Sequence, residues 1–137
     1  MPVTLGTLTE TLVAGHLTEL AGIIHGCPRT KKNHKESHYK ESPGYVHWRD
    51  GVIGALAGKR QLPDRPYNLE ARFYVDKSGE QADLVGLIQG FADALENAGT
   101  VSDDQWFRAF DGSRKIHGQA ENPRVEYRIS PLNEPSK

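Results

Sequence analysis

The chain has 137 residues, 36% of them apolar and 26% charged, with a mean hydropathy of -0.62. That is one domain's length, large enough to hold a core without disulfides and too mixed in charge to be read as disordered. Its apolar runs fall far short of the ~18 residues of a membrane helix. The Met1-Pro2-Val3-Thr4 start lacks a secretory signal's basic and apolar regions, and the single Cys27 excludes an internal disulfide, so a reducing cytoplasm is the expected location.

Residues 1–19 carry Leu5, Leu8, Leu12, Val13 and Leu17, with Gly6 and Gly15 between them; the pattern fits a strand pair or a short helix. They are expected as an N-terminal extension to a domain over 20–131, with 132–137 as a tail. Leu20 to Gly26 reads as a strand interrupted at Pro28, followed by a polar basic loop, Arg29 to Glu41. Ser42-Pro43 signals a helix start, and Tyr45, Trp48, Val52 and Leu56 share one helical face, which assigns the two aromatics to the core. Leu69 to Val75 reads as a strand. Residues 84–98 form the clearest helix, with Asp83 at its N-cap, Leu84, Leu87, Ile88, Phe91, Leu95 and Ala98 on its apolar face, and Gly99 just past its end. Trp106–Phe110 is expected as a strand turning at Asp111-Gly112, and Val125–Ile129 as the last strand, stopped by Pro131. Strands outnumber helices in irregular order, which predicts an α+β fold: a mixed sheet with packed helices.

The net charge of -1 conceals segregation. Arg29, Lys31, Lys32, Lys35 and Lys40 face a single acid, Glu36, within residues 28–40. Residues 80–104 hold Glu80, Asp83, Asp93, Glu96, Asp103 and Asp104 with no Lys or Arg, and 105–128 turns basic again around Arg108, Arg114 and Lys115. Cations that hold phosphates and clustered carboxylates that hold a metal ion are what cutting a polyanion requires. Taken singly, each feature has a plainer reading: Asp83 as a cap, Asp103-Asp104 as a polar turn, Asp93 as a structural mid-helix acid, the basic stretch as a solvated loop. His25, Cys27, His34 and His38 lack the paired spacing of a zinc site.

Three stretches together resemble one family. Gly26-Cys27-Pro28-Arg29-Thr30-Lys31-Lys32-Asn33 is similar to the strand-exit stretch of the RusA-like Holliday junction resolvases of bacteria and phages. Asp83-Leu84 followed by Gly90-Phe91-Ala92-Asp93-Ala94-Leu95 and Ala98-Gly99 is similar to their central helix, and Ser102-Asp103-Asp104-Gln105 to their acidic pair. Asp111-Gly112-Ser113-Arg114 resembles phage-type members. The resemblance implies a cytoplasmic, Mg²⁺-dependent endodeoxyribonuclease, with Mn²⁺ as a substitute, that acts as a homodimer on four-way junctions or related branched DNA in recombination and repair. It implies Asp83 and Asp104 as catalytic metal ligands. Arg29, Lys31, Lys32 and Asn33, in a polar loop after a strand and able to reach phosphates, are the expected DNA contacts, with Arg114 from the later basic stretch.

The sequence departs from that pattern: the family's arginine-rich run ahead of the first acid is reduced to Lys77, and three positions of the 84–98 helix differ. Val85 stands where the family has a second acid, Gly86 where it has Asn, and Gln89 where it has a lysine. The missing ligand then comes from Asp103, Asp93 or Glu80, or metal binding is weakened, or the chain is a catalytically inactive DNA-binding protein of the same fold. Asp103 is the candidate carried forward as a third catalytic and metal residue. Asp83 and Asp104 flank a helix of about 22 Å, so they approach each other only if the chain runs back along it.

Overall fold

The computed structural model describes residues 2–5, 8–31, 43–77, 82–118 and 121–133, with side chains from residue 8 onward. Lys32, Asn33, Lys35, Lys40, Ser42 and Glu80 lie outside the described residues. Among the described residues, seven strands, β1 (Pro2–Leu5), β2 (Leu8–Val13), β3 (His16–His25), β4 (Tyr67–Tyr74), β5 (Phe107–Ala109), β6 (Arg114–Ile116) and β7 (Arg124–Pro131), join two α-helices, α1 (Pro43–Leu56) and α2 (Leu84–Asn97). The sheet runs β1-β2-β3-β7-β4-β5, and β6 pairs with the far end of the same β4 edge. β4 is antiparallel to β7 but parallel to β5 and β6, which makes the sheet mixed and the fold α+β.

Of the two readings of residues 1–19, the strand pair is the one observed. Val13 and His16 close a two-residue hairpin in which Ala14 (φ 52°) and Gly15 (φ 79°) both adopt left-handed backbone, the turn whose twist suits antiparallel strands. β3 then runs on through position 19/20, and a bulge at Thr18, opposite the Thr11–Leu12 step of β2, shifts the alternation so that Leu17 and Leu20 both reach the core. Residues 8–19 are therefore part of the sheet.

The inward face of the sheet is built by alternation: Tyr67, Leu69, Ala71 and Phe73 on β4, and Val125, Tyr127 and Ile129 on β7, are all buried. Both helices pack on this face. Phe91 of α2 is the hub, meeting Phe73 and Tyr127 edge to face at 6.0 and 5.5 Å and Trp48 of α1 at 5.9 Å. Tyr45, Trp48, Val52 and Leu56 form the buried stripe of α1, as their spacing predicts. The outward face carries ion pairs instead, Arg72 and Arg124 to Glu126 and Arg128 to Glu19. No helix among the described residues is long and apolar enough to cross a membrane.

Candidate metal and nucleic-acid site

α2 carries candidate site residues at both ends and has one bare flank. Gly86 and Gly90, one helical turn apart, leave room for the strand-exit segment to cross the helix at close range. A Cβ on Gly90 would stand 3.4 Å from the Arg29 carbonyl oxygen and 3.1 Å from the Tyr45 ring, and one on Gly86 would stand 3.0 Å from Thr30. Any larger side chain on this flank would push the segment away. One turn further on, Asp93 receives it: its carboxylate lies 3.6 Å from Lys31 Nζ and accepts from Tyr45 Oη at 3.5 Å and Asn97 Nδ2 at 3.2 Å. Tyr45 Oη also donates to the Gly90 carbonyl at 2.9 Å. Lys31 of the basic segment is thus tied to α2 by the half-buried Asp93, which has the structural role expected of a mid-helix acid, while the buried Tyr45 hydroxyl holds α1 to the same helix.

At its C-terminus α2 ends in a reversal. Gly99 takes φ 80°, and Thr100 N–H bonds back to Leu95 C=O at 3.0 Å, the paired closure that a left-handed residue permits. Thr100 and Val101 are buried, so the chain is pulled inward before it re-emerges at Ser102. Asp103 then caps a short 3-10 turn over Asp104–Trp106, accepting from Gln105 N–H at 2.8 Å. Glu96 accepts the Asp104 N–H at 2.9 Å. These bonds gather Glu96, Asp103 and Asp104, whose nearest carboxylate oxygens all lie within 4.8 Å of one another. Partial burial raises the Asp104 pKa above its ordinary value, and repulsion from Glu96, Asp103 and Asp93 raises it further.

Asp104 and Asp103 therefore come together as a pair, with Glu96 as their third member. Asp83 stands apart from this group. It holds the N-cap position of α2 in extended backbone, but its side chain makes no capping bond, and thirteen residues of helix, about 20 Å, separate it from Glu96. Its Oδ1 rests against Gly86 instead, at 2.5 Å from where a Cβ would be. The reversal at Gly99 does carry the chain back along α2, but Asp104 reaches only part of the way. It lines a groove of about 410 Å³ with Val85, Ile88, Gln89, Ala92 and Phe110. Val85 is 72% exposed at one end of that groove, a position open to an acid but filled by an apolar group.

Arg114 sits exposed on β6, opposite Arg72 in register. Lys115, next to it, donates to the Ala82 carbonyl at 2.6 Å and so fixes the chain just ahead of Asp83. Glu96 was visible in the sequence as one acid among six; the signal that separates it is its distance of seven and eight residues from the acidic pair across a glycine-terminated helix, which a reversal at Gly99 folds into contact. No family model and no curated protein matches the sequence.

Proposed function

We propose that the chain is a divalent-metal-dependent endonuclease of four-way or related branched DNA, working as a homodimer in a bacterial or phage-infected cytoplasm. The observation that carries this reading is the convergence of Glu96, Asp103 and Asp104 beside a cationic segment that Asp93 ties to the same helix. The donor set suits Mg²⁺ or Mn²⁺: three hard carboxylate oxygens, none deeply buried, with open surface for waters and a substrate phosphate. Bound there, the ion supplies Lewis-acid stabilisation of phosphate oxygens and activation of water.

The protein's own residues do the rest. Glu96 positions Asp104 through its backbone N–H, and Asp103 shapes the turn that presents both. Burial, and after it repulsion from the gathered acids, raises the Asp104 pKa, and a bound cation would offset the repulsion. Lys31, carried over α2 on the Gly86–Gly90 flank, supplies positive charge that offsets repulsion between DNA and the acids, while the Arg29 side chain lies on the other side of the segment, against α1. Two symmetric incisions are most simply made by two copies of the site about a two-fold axis.

A second reading, an inactive DNA-binding protein, is favoured by Val85, which places an exposed apolar group beside Asp104 where the resemblance implies a ligand. Incubating the protein with a labelled four-way junction in Mg²⁺ separates the two. Paired nicks support the nuclease; a shifted but intact junction supports the binding protein; an unshifted, intact junction sinks both.

A further inference from the structure

A second site lies on the opposite side of the strand-exit segment from the acids. Between the end of β3 and the outer side of α1 is a cleft of about 260 Å³, walled by His25, Arg29, Gly44, His47, Trp48 and Gly51. It is smaller than the roughly 300–1,000 Å³ that holds a drug-sized ligand, so it suits a single group. Among the described residues, no carboxylate lines it. The Arg29 side chain runs beside Gly44, within 3.8 Å of where a Cβ would sit, and so lies against the first turn of α1. That turn contains no acid, leaving its N–H groups and the positive end of the helix dipole unneutralised by the helix itself.

The independent mark of a ligand is Trp48. Its side chain is 95% buried, and its indole Nε1–H has no hydrogen-bond partner among the described residues. An orphan buried donor is rare in a native fold and is satisfied when an acceptor arrives. The neighbouring ring carbon, Cδ1, is 3.8 Å from the Cβ position of Gly26, which also lines the cleft, so the pyrrole edge faces that wall. Gly51 has no atoms within 4 Å of its Cβ position, and this bare spot on α1 keeps the cleft open.

We propose that this cleft binds one phosphate group, with the Arg29 guanidinium and the α1 N-terminus holding its charge and a small turn of the Trp48 ring bringing Nε1–H onto an oxygen. The phosphate is a backbone phosphodiester of the nucleic acid, an assignment of source that rests on the nucleic-acid reading above. The cleft then grips a strand at the strand-exit segment, which Lys31 ties to α2 through Asp93.

The chain has two tryptophans, so the indole N–H signals of ¹⁵N-labelled protein are two, and Trp48→Phe assigns them. Inorganic phosphate and a duplex oligonucleotide are titrated separately, at ionic strength held constant with chloride. The proposal expects both to move the Trp48 signal while phosphate leaves Trp106 in place. Arg29→Ala is expected to weaken phosphate binding by about tenfold or more, the loss of a charge-assisted bond. Gly51→Leu, which fills the cleft without touching the core, is expected to abolish the response in a folded protein. If phosphate moves Trp48 and the oligonucleotide moves no signal, the cleft is a free-phosphate site, and both its nucleic-acid assignment and the nucleic-acid reading fall. If the oligonucleotide shifts Lys31 but neither ligand moves Trp48, the nucleic-acid reading stands and the cleft is refuted. A phosphate response that survives Gly51→Leu also refutes it.

Discussion

Replacing Val85 by Asp asks whether the groove beside Asp104 is a metal site that lost one ligand. The side chain is 72% exposed, so roughly a quarter of a valine's full burial, about 0.5 kcal/mol, is forfeited. Residue 85 sits in the first turn of α2, which has no acid of its own, and a carboxylate there gains about 0.3–1 kcal/mol from the helix dipole. The two terms cancel to within a few tenths, so without metal the melting temperature should stay within a few degrees of wild type. With Mg²⁺ the balance changes, because residue 85 and Asp104 line the same groove. At a tenfold excess over Kd, binding to the folded state alone adds about 1.4 kcal/mol. That raises Tm by roughly 4–7 °C for a chain of this size. The assay is thermal melting across a Mg²⁺ series matched for ionic strength, with EDTA as the zero point. A Val85→Asp protein that melts more than about 5 °C lower in EDTA would show that the valine packs rather than faces solvent. A Mg²⁺ response equal to that of wild type would show that position 85 does not serve the same ion as Asp104.

Three further outcomes follow from individual contacts. Asp104 has a folded pKa above its unfolded value, through burial first and repulsion second, so the native state binds the extra proton and stability falls as pH rises through the ordinary carboxylate range up to the raised pKa; Asp104→Asn should flatten this slope and raise Tm at neutral pH, and unchanged pH melting curves would refute the raised pKa. Tyr45→Phe removes the buried bond from α1 to Gly90 C=O and should cost about 1 kcal/mol, a Tm loss of roughly 3–5 °C, with faster amide exchange in α1; no change in either would mean the hydroxyl does not hold α1 to α2. Ala14→Gly relieves a left-handed alanine in the β2–β3 turn and should stabilise by about 1 kcal/mol in denaturant melts, whereas destabilisation would place the turn in another conformation.

What the sequence revealed follows from how far each signal extends along the chain. α2 was legible because Leu87, Phe91 and Leu95 repeat at helical spacing between an N-cap position and Gly99, and α1 because Tyr45, Trp48, Val52 and Leu56 do the same. The β2–β3 hairpin was ambiguous because its turn places Ala14 where Asn, Asp or Gly is the usual marker. The site was half legible. Asp103 and Asp104 stand out as adjacent acids, but Glu96 joins them only through the Gly99 reversal, a tertiary event with no local pattern. Asp83 illustrates the opposite limit: its place at the N-cap can be read from sequence, while its separation from the acids depends on how far back along α2 the chain runs. The cleft at the end of β3 left no sequence signal, since Arg29, Gly44, Trp48 and Gly51 meet only when α1 docks beside that strand.

The central claim is that Glu96, Asp103 and Asp104 hold the ion for cutting branched DNA. Its most direct test is the nicking rate of a labelled four-way junction in Mg²⁺, wild type against Asp104→Asn, with junction binding measured in Ca²⁺ on the same preparations. The account predicts that binding persists while nicking falls by at least about two orders of magnitude, the several kcal/mol of transition-state stabilisation an ion supplies. Equal nicking rates for the two proteins would contradict it.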